Sequence, residues 1–173
     1  MNSKTRDLQK LQEEQDFLAY LEQLREILPR YAVIITVADT GFGPFFKPEH
    51  AAALRQLGLQ IDLSGRYRQP YLAVINKGTV VREKTTENLT EPVSLGGKIN
   101  SHELLVYSGG FLCEKGVGSR ALVTIDGKNY GLGRGFNFVV YDVDRDEMVD
   151  SRRFDTYLGK VVNYSTFPLK KRP

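Results

Sequence analysis

Tryptophan is absent from the 173 residues, Cys113 is the only cysteine, and His50 and His102 are the only histidines. One cysteine excludes an internal disulfide and any multi-cysteine metal site, and two histidines leave little for an imidazole-based one. The expectation is therefore no metal and no cofactor. No apolar run approaches the roughly 20 residues that a membrane-spanning helix needs. The opening stretch, MNSKTRDLQKLQEEQDF, is too polar for a signal peptide. With the single cysteine it gives the expectation of a reducing, cytoplasmic setting, with a fragment of a larger protein as an open alternative. Nor is there a charge excess that would announce nucleic acid, since 24 Lys and Arg against 21 Asp and Glu leave +3. Internal repeats and low-complexity stretches are also lacking.

What is present is the composition of a folded domain: 41% hydrophobic and 26% charged residues exclude a disordered chain. Residues 6–28 hold no Gly or Pro and place Phe17, Leu21, Leu24 and Leu28 on one helical face, with Pro29 as the stop. The part up to Glu14 offers only Leu8 and Leu11, so it is expected to project as an arm or to pair with another chain. Residues 31–38 (YAVIITVA) form a β-branched run that reads as a strand buried on both faces. A Gly- and Pro-containing loop from Asp39 follows, then a helix over 48–58 opened by Pro48 and a strand over 71–75. Residues 79–100 are polar and read as a surface loop with short strand pieces. Residues 103–107 form a strand broken by Gly109-Gly110. After it come strands at 121–125, 128–132, 136–141 and 148–154, the first two joined by the Asp126-Gly127 hairpin signal. The pattern is an α+β domain with a mostly antiparallel strand series, at least two helices and no dividing linker.

Three blocks of this sequence resemble the ILEI/PANDER (interleukin-like EMT inducer) domain family: GRGFNFVVYD at 133–142, VDSRRFDTY at 149–157, and YAVIITVAD at 31–39. The third is followed by a helix ending at Leu57-Gly58 and by YRQPYLAVI at 67–75. Together they cover most of residues 17–157. In the family the first two blocks usually precede the third; here the order is reversed. Residues 29–78 match the family's second half and 103–157 its first. Either the chain is a circular permutant that closes on itself, the favoured reading, or its halves exchange between molecules as a swapped dimer. The resemblance implies two antiparallel sheets packed as a sandwich with flanking helices. It frames residues 29–160 as the domain, 1–28 as a helix or arm, and 161–173 as a flexible tail. The family's function is mostly non-enzymatic. Its best-defined activity is carbohydrate binding, in the stem domain of protein O-mannose N-acetylglucosaminyltransferase, which takes a β-linked N-acetylglucosamine. The matching sugar contacts here are Arg134, Asp39 and Arg68. Bacterial chains of this look often sit beside glycosyltransferase or surface-polysaccharide modules. Secreted members look like cytokine-type signalling proteins and have disulfides, which this chain cannot form.

The chemistry fits those three residues. A carboxylate accepts from sugar hydroxyls, and guanidinium forks donate to sugar oxygens. Asp39 follows a buried strand, and Arg134 lies between two glycines. Arg68 lies beside Tyr67 and Tyr71, a flat apolar wall for a sugar face that Phe42, Phe45 and Phe46 would extend. The same trio would equally suit a buried ion-pair cluster, whose disruption costs roughly 3–5 kcal/mol. Phe154-Asp155-Thr156-Tyr157 reads as a structural turn in which Asp155 holds backbone N–H groups. A glycosidase would need two facing carboxylates, for which Asp39 and Asp155 are the only candidates. Cys113 with His102, the acidic turn over 142–147, the sequons at Asn88 and Asn163, the glycines around 131–135 and the basic tail carry no stronger reading. The expected partners are a glycan and, through the N-terminal helix or strand exchange, a second copy of the chain.

Overall fold

A computed structural model describes residues 2–164. Three helices, α1 (Ser3–Glu13), α2 (Phe17–Ile27) and α3 (Pro48–Gln56), and ten strands build two antiparallel sheets. The strands are β1 (Ala32–Ala38), β2 (Tyr71–Asn76), β3 (Thr79–Thr85), β4 (Val93–Ile99), β5 (His102–Ser108), β6 (Ala121–Ile125), β7 (Lys128–Leu132), β8 (Gly135–Asp142), β9 (Glu147–Asp155) and β10 (Lys160–Asn163). The larger sheet runs β10-β9-β8-β1-β2-β3 and the smaller β4-β5-β6-β7. The α+β sandwich with flanking helices is thus the observed architecture.

The alternation along β1 explains the layering. Val33, Ile35 and Val37 face the helices and join Phe17, Tyr20, Leu24 and Leu54 in one core. Ala32 and Ile34 face the smaller sheet and join Val106, Val123 and Val139 in a second. A central strand covered on both sides is buried along its whole length and almost wholly apolar, Thr36 excepted, which is why 31–38 reads as a nearly continuous β-branched run. β1 pairs with β2 on one side and with β8 on the other, Ile35 opposite Ala73 and Phe138. The two blocks of the sequence therefore close into one sheet within a single chain.

Four expectations need correction. The helix over 6–28 is two helices, broken at 14–16, where the Asp16 carboxylate caps α2 by accepting from the Ala19 N–H at 2.9 Å. Nor is α1 a projecting arm. Leu11 is fully buried, Leu8 packs on the same core, and Gln12 donates to the Val149 carbonyl at 2.7 Å. Residues 79–100 are not chiefly loop, because β3 and β4 are full strands at sheet edges, where one face and one side meet water and polar residues are tolerated. The tail assigned to 161–173 begins too early, since residues 161–163 belong to β10. The remainder from residue 165 on lies outside the described residues.

Candidate functional site

Asp39 leaves β1 with φ +64°, a left-handed conformation. Its N–H donates to the Gly109 carbonyl at 3.3 Å, and its own carbonyl accepts from the Phe111 N–H at 2.9 Å. The loop after β5 is thereby strapped to the end of β1. Two polar tethers between the sheets hold this corner: Thr36 donates to the Tyr107 carbonyl at 2.7 Å, and Ser108 donates to the Val37 carbonyl. Arg68 also has φ +64°, and its N–H donates to the Thr40 hydroxyl at 3.0 Å. The Arg68 carbonyl lies so close to Gly110 that any side chain at position 110 would collide with it. The Gly109-Gly110 break thus has a specific use, letting two loops meet beside Asp39.

Arg134 arrives from the other half of the chain, just ahead of β8. The Asn137 amide holds the backbone there, donating to the Gly133 carbonyl at 2.7 Å. The Arg134 Nε donates to Asp155 Oδ2 at 3.0 Å, while one Nη lies 3.9 Å from Asp39. Arg153 lies 3.5 Å from the same Asp155 oxygen and donates to the Arg134 carbonyl at 3.0 Å. The other Asp155 oxygen accepts from the Tyr157 and Leu158 N–H groups, each at 3.0 Å, as the turn reading of this segment expects. Asp155 is 1% exposed and fully engaged, whereas Asp39 and Arg134 remain 22% and 35% exposed. Asp39 and Arg134 therefore belong to an ion-pair cluster that is open to water on one side, and the Arg68 guanidinium stands beside it, near enough to act on the Asp39 charge.

Burial pushes the Asp39 carboxyl above its ordinary range, the Arg134 and Arg68 guanidiniums pull it back, and Asp155 pushes it up again. Aromatic rings surround the guanidiniums. The Arg68 guanidinium lies 4.9 Å from the Tyr67 ring centre and 4.3 Å from that of Phe111, and Arg134 lies 5.5 Å from that of Tyr157. Tyr67 and Tyr157 are themselves 6.5 Å apart, and all three aromatic side chains are exposed. Such a surface offers donors, one free-edged carboxylate and flat apolar faces.

Tyr71 does not belong to it. Its side chain is on the helix-facing side of β2, buried in the core, and its hydroxyl donates to Glu83 at 2.7 Å. The alternation of a strand turns residue 71 away from the loop that carries residues 67 and 68. Phe46 is likewise buried, Phe42 packs against that core, and Phe45 lies on the far side of the 155–159 turn against Gly159. Phe111 takes the place these were expected to fill. Its only signal in the sequence is an apolar residue directly after a glycine pair. A groove of about 530 Å³ opens beyond the turn, lined by Phe17, Phe45, His50, Thr156 and Lys160. It touches the cluster only through Asp155 and contains none of Asp39, Arg68 and Arg134.

No family model, curated protein or solved structure matches the chain. Two other candidate centres among the described residues are otherwise engaged. His102, Asp126 and Asp146 have metal-ligand character and lie close together. Both ring nitrogens of His102 are occupied, however, one by Asp126 at 2.6 Å and the other by the Val143 carbonyl at 2.9 Å. These bonds push the imidazole pKa up, which favours an imidazolium ion pair over a metal ligand. Cys113 donates to the Lys115 carbonyl at 3.3 Å, so it and His102 each have other partners.

Proposed function

We propose that this chain is a non-catalytic carbohydrate-binding domain of ILEI type in circularly permuted order, acting near glycan or surface-polysaccharide synthesis. The observation behind the reading is the meeting of Asp39, Arg68 and Arg134, from both halves of the chain, on an open surface walled by Tyr67, Phe111 and Tyr157. The three polar residues match the family's sugar contacts by resemblance alone, and they are far apart in the chain. Their proximity is what a shared ligand requires. Exposed aromatic faces beside hydrogen-bonding groups suit the apolar face and hydroxyl rim of a pyranose. Hydrolysis is disfavoured as an alternative, because Asp155 is buried and fully bonded and so is not poised opposite Asp39 as an acid or base.

The test is an NMR titration of the folded protein with methyl β-N-acetylglucosaminide. Resonances of residues 39, 67–68, 111, 134 and 157 should shift, and Asp39→Ala or Arg68→Ala should abolish the shifts while the rest of the spectrum is unchanged. Absence of any saccharide-dependent shift across a panel of glycans would remove the proposal. The remaining reading is an interaction or cytokine-like signalling domain without a sugar ligand. It retains the exposed Phe111, Leu112 and Val117 surface but loses the helical arm, whose apolar residues are consumed within the chain.

A further inference from the structure

The charges of the cluster do not balance. Three guanidiniums, Arg68, Arg134 and Arg153, stand beside two carboxylates, Asp39 and Asp155, which leaves one positive charge. Asp155 is shared by Arg134 and Arg153, and Asp39 lies within ion-pair distance of Arg134. Among the described residues no carboxylate lies within ion-pair distance of Arg68. Its Nε is buried with no acceptor among the described residues, a costly state for a charged donor. The guanidinium is nevertheless held in place. The rings of Tyr67 and Phe111 lie within 4.9 Å and 4.3 Å of it, and the backbone beneath is pinned to Thr40. A planar cation fixed by stacking, short of an acceptor and open at the surface is preorganised for an oxyanion.

Resting on the carbohydrate reading above, we propose that the ligand is an acidic sugar whose anionic substituent, a uronic-acid carboxylate, is received by Arg68, while Asp39 and Arg134 serve the neutral hydroxyls. A neutral sugar would leave the extra positive charge as it is. A carboxylate supplies both the charge and two acceptor oxygens in the spacing that a guanidinium fork matches. A sulfate ester would present related acceptor chemistry, so the two sources are separated in the test.

The experiment is a calorimetric or NMR titration of the full chain at low salt with four probes: methyl β-glucuronide, methyl β-glucoside, methyl β-N-acetylglucosaminide and N-acetylglucosamine 6-sulfate. The glucuronide should bind about ten-fold more tightly than the glucoside, the gain expected for one charge-assisted contact. That preference should shrink as salt rises. It should vanish in Arg68→Gln and survive in part in Arg68→Lys, which keeps the charge but loses the fork. A one-dimensional spectrum of each variant confirms that it is folded. If the acetylated or plain sugar binds as well as the glucuronide, the acidic-ligand inference fails and the carbohydrate reading stands. If the sulfated sugar alone is preferred, the carboxylate is the wrong anion. A glucuronide preference untouched by Arg68→Gln would mean that the anion is read elsewhere. Binding of none of the four overturns the inference together with the reading beneath it.

Discussion

Asp39 is the residue at which stability and the proposed function pull apart. Burial opposes its charge and the two neighbouring guanidiniums favour it, with burial the larger influence, so its pKa lies above the ordinary value. A carboxyl that holds its proton more tightly when folded makes the fold lose stability as pH rises from the unfolded pKa, about 3.9, through the folded one. Above that interval the deficit is constant. Asp39→Asn removes it, so the variant should melt higher than the parent at pH 7, and the gap should close as pH falls toward about 3, where both side chains are uncharged. The same substitution should weaken sugar binding, since an amide is the poorer acceptor for hydroxyls. Melting curves at the two pH values check the first half. A lower melting point at pH 7 would mean that the Arg134 contact outweighs burial and that the cluster is chiefly structural.

The helices lend themselves to a sharper test of how the elements are joined. Leu11 is fully buried where α1 meets the core, so Leu11→Ala should cost about 2–4 kcal/mol in denaturant unfolding. A free arm would show no change, and that result would undo the docking of α1 on the core. A polar knot ties α2 to β9 nearby. Tyr20 donates to Asp150 at 2.6 Å, Arg152 lies 3.6 Å from Asp150, and its guanidinium lies 4.9 Å from the Tyr20 ring centre. Burial and the Asp150 charge both hold the phenol well above its usual pKa, so it stays a donor. Tyr20→Phe deprives a buried carboxylate of that donor and should destabilise the fold by about 1–3 kcal/mol. Unchanged stability would show that other donors to Asp150 suffice. The sequence made some of this legible and hid the rest for physical reasons. The runs at 32–38 and 136–141 are mostly apolar because both their faces are covered, and the stripe from Phe17 to Leu28 follows one helical face. The break at residues 14–16 was hidden because Glu14, Gln15 and Asp16 do not forbid a helix, and only the cap made by Asp16 ends one helix and starts another. β3 and β4 were hidden because edge strands with a wet face resemble polar loop. At the site, Asp39, Arg68 and Arg134 came from the family resemblance. Tyr71 failed because its strand phase decides its direction, and Phe111 escaped because its role depends on a loop meeting another loop.

Across the whole molecule the two sheets meet through apolar packing and a few polar ties, and His102 is the tie that responds to pH near neutrality. It sits at the start of β5 in the smaller sheet. Its ring contacts Asp126, in the β6–β7 turn of the same sheet, and the Val143 carbonyl and Asp146, in the β8–β9 connection of the larger one. Tyr141 packs edge-on against the ring and donates to Asp146. The bonds to Asp126 and Val143 are the chief influences raising the imidazole pKa. A histidine whose folded pKa is raised stabilises fully below its unfolded value, about 6.5, and loses that contribution as pH rises through the folded value. Asp126 sets the acid limit, because the His102 bond and the Glu103 N–H hold its carboxyl below the ordinary range, so its contribution fades as pH falls through that lowered value. The tie should therefore be strongest in mildly acidic solution. The melting temperature should fall as pH rises from about 6.5 through the raised pKa of the imidazole, and His102→Gln should flatten that fall while lowering the melting temperature most at about pH 6. Because the ring bridges the two layers, amide exchange in β5 and in the β8–β9 connection should accelerate together over the same interval. A variant whose pH profile parallels the parent's would show that the imidazolium does not couple the sheets.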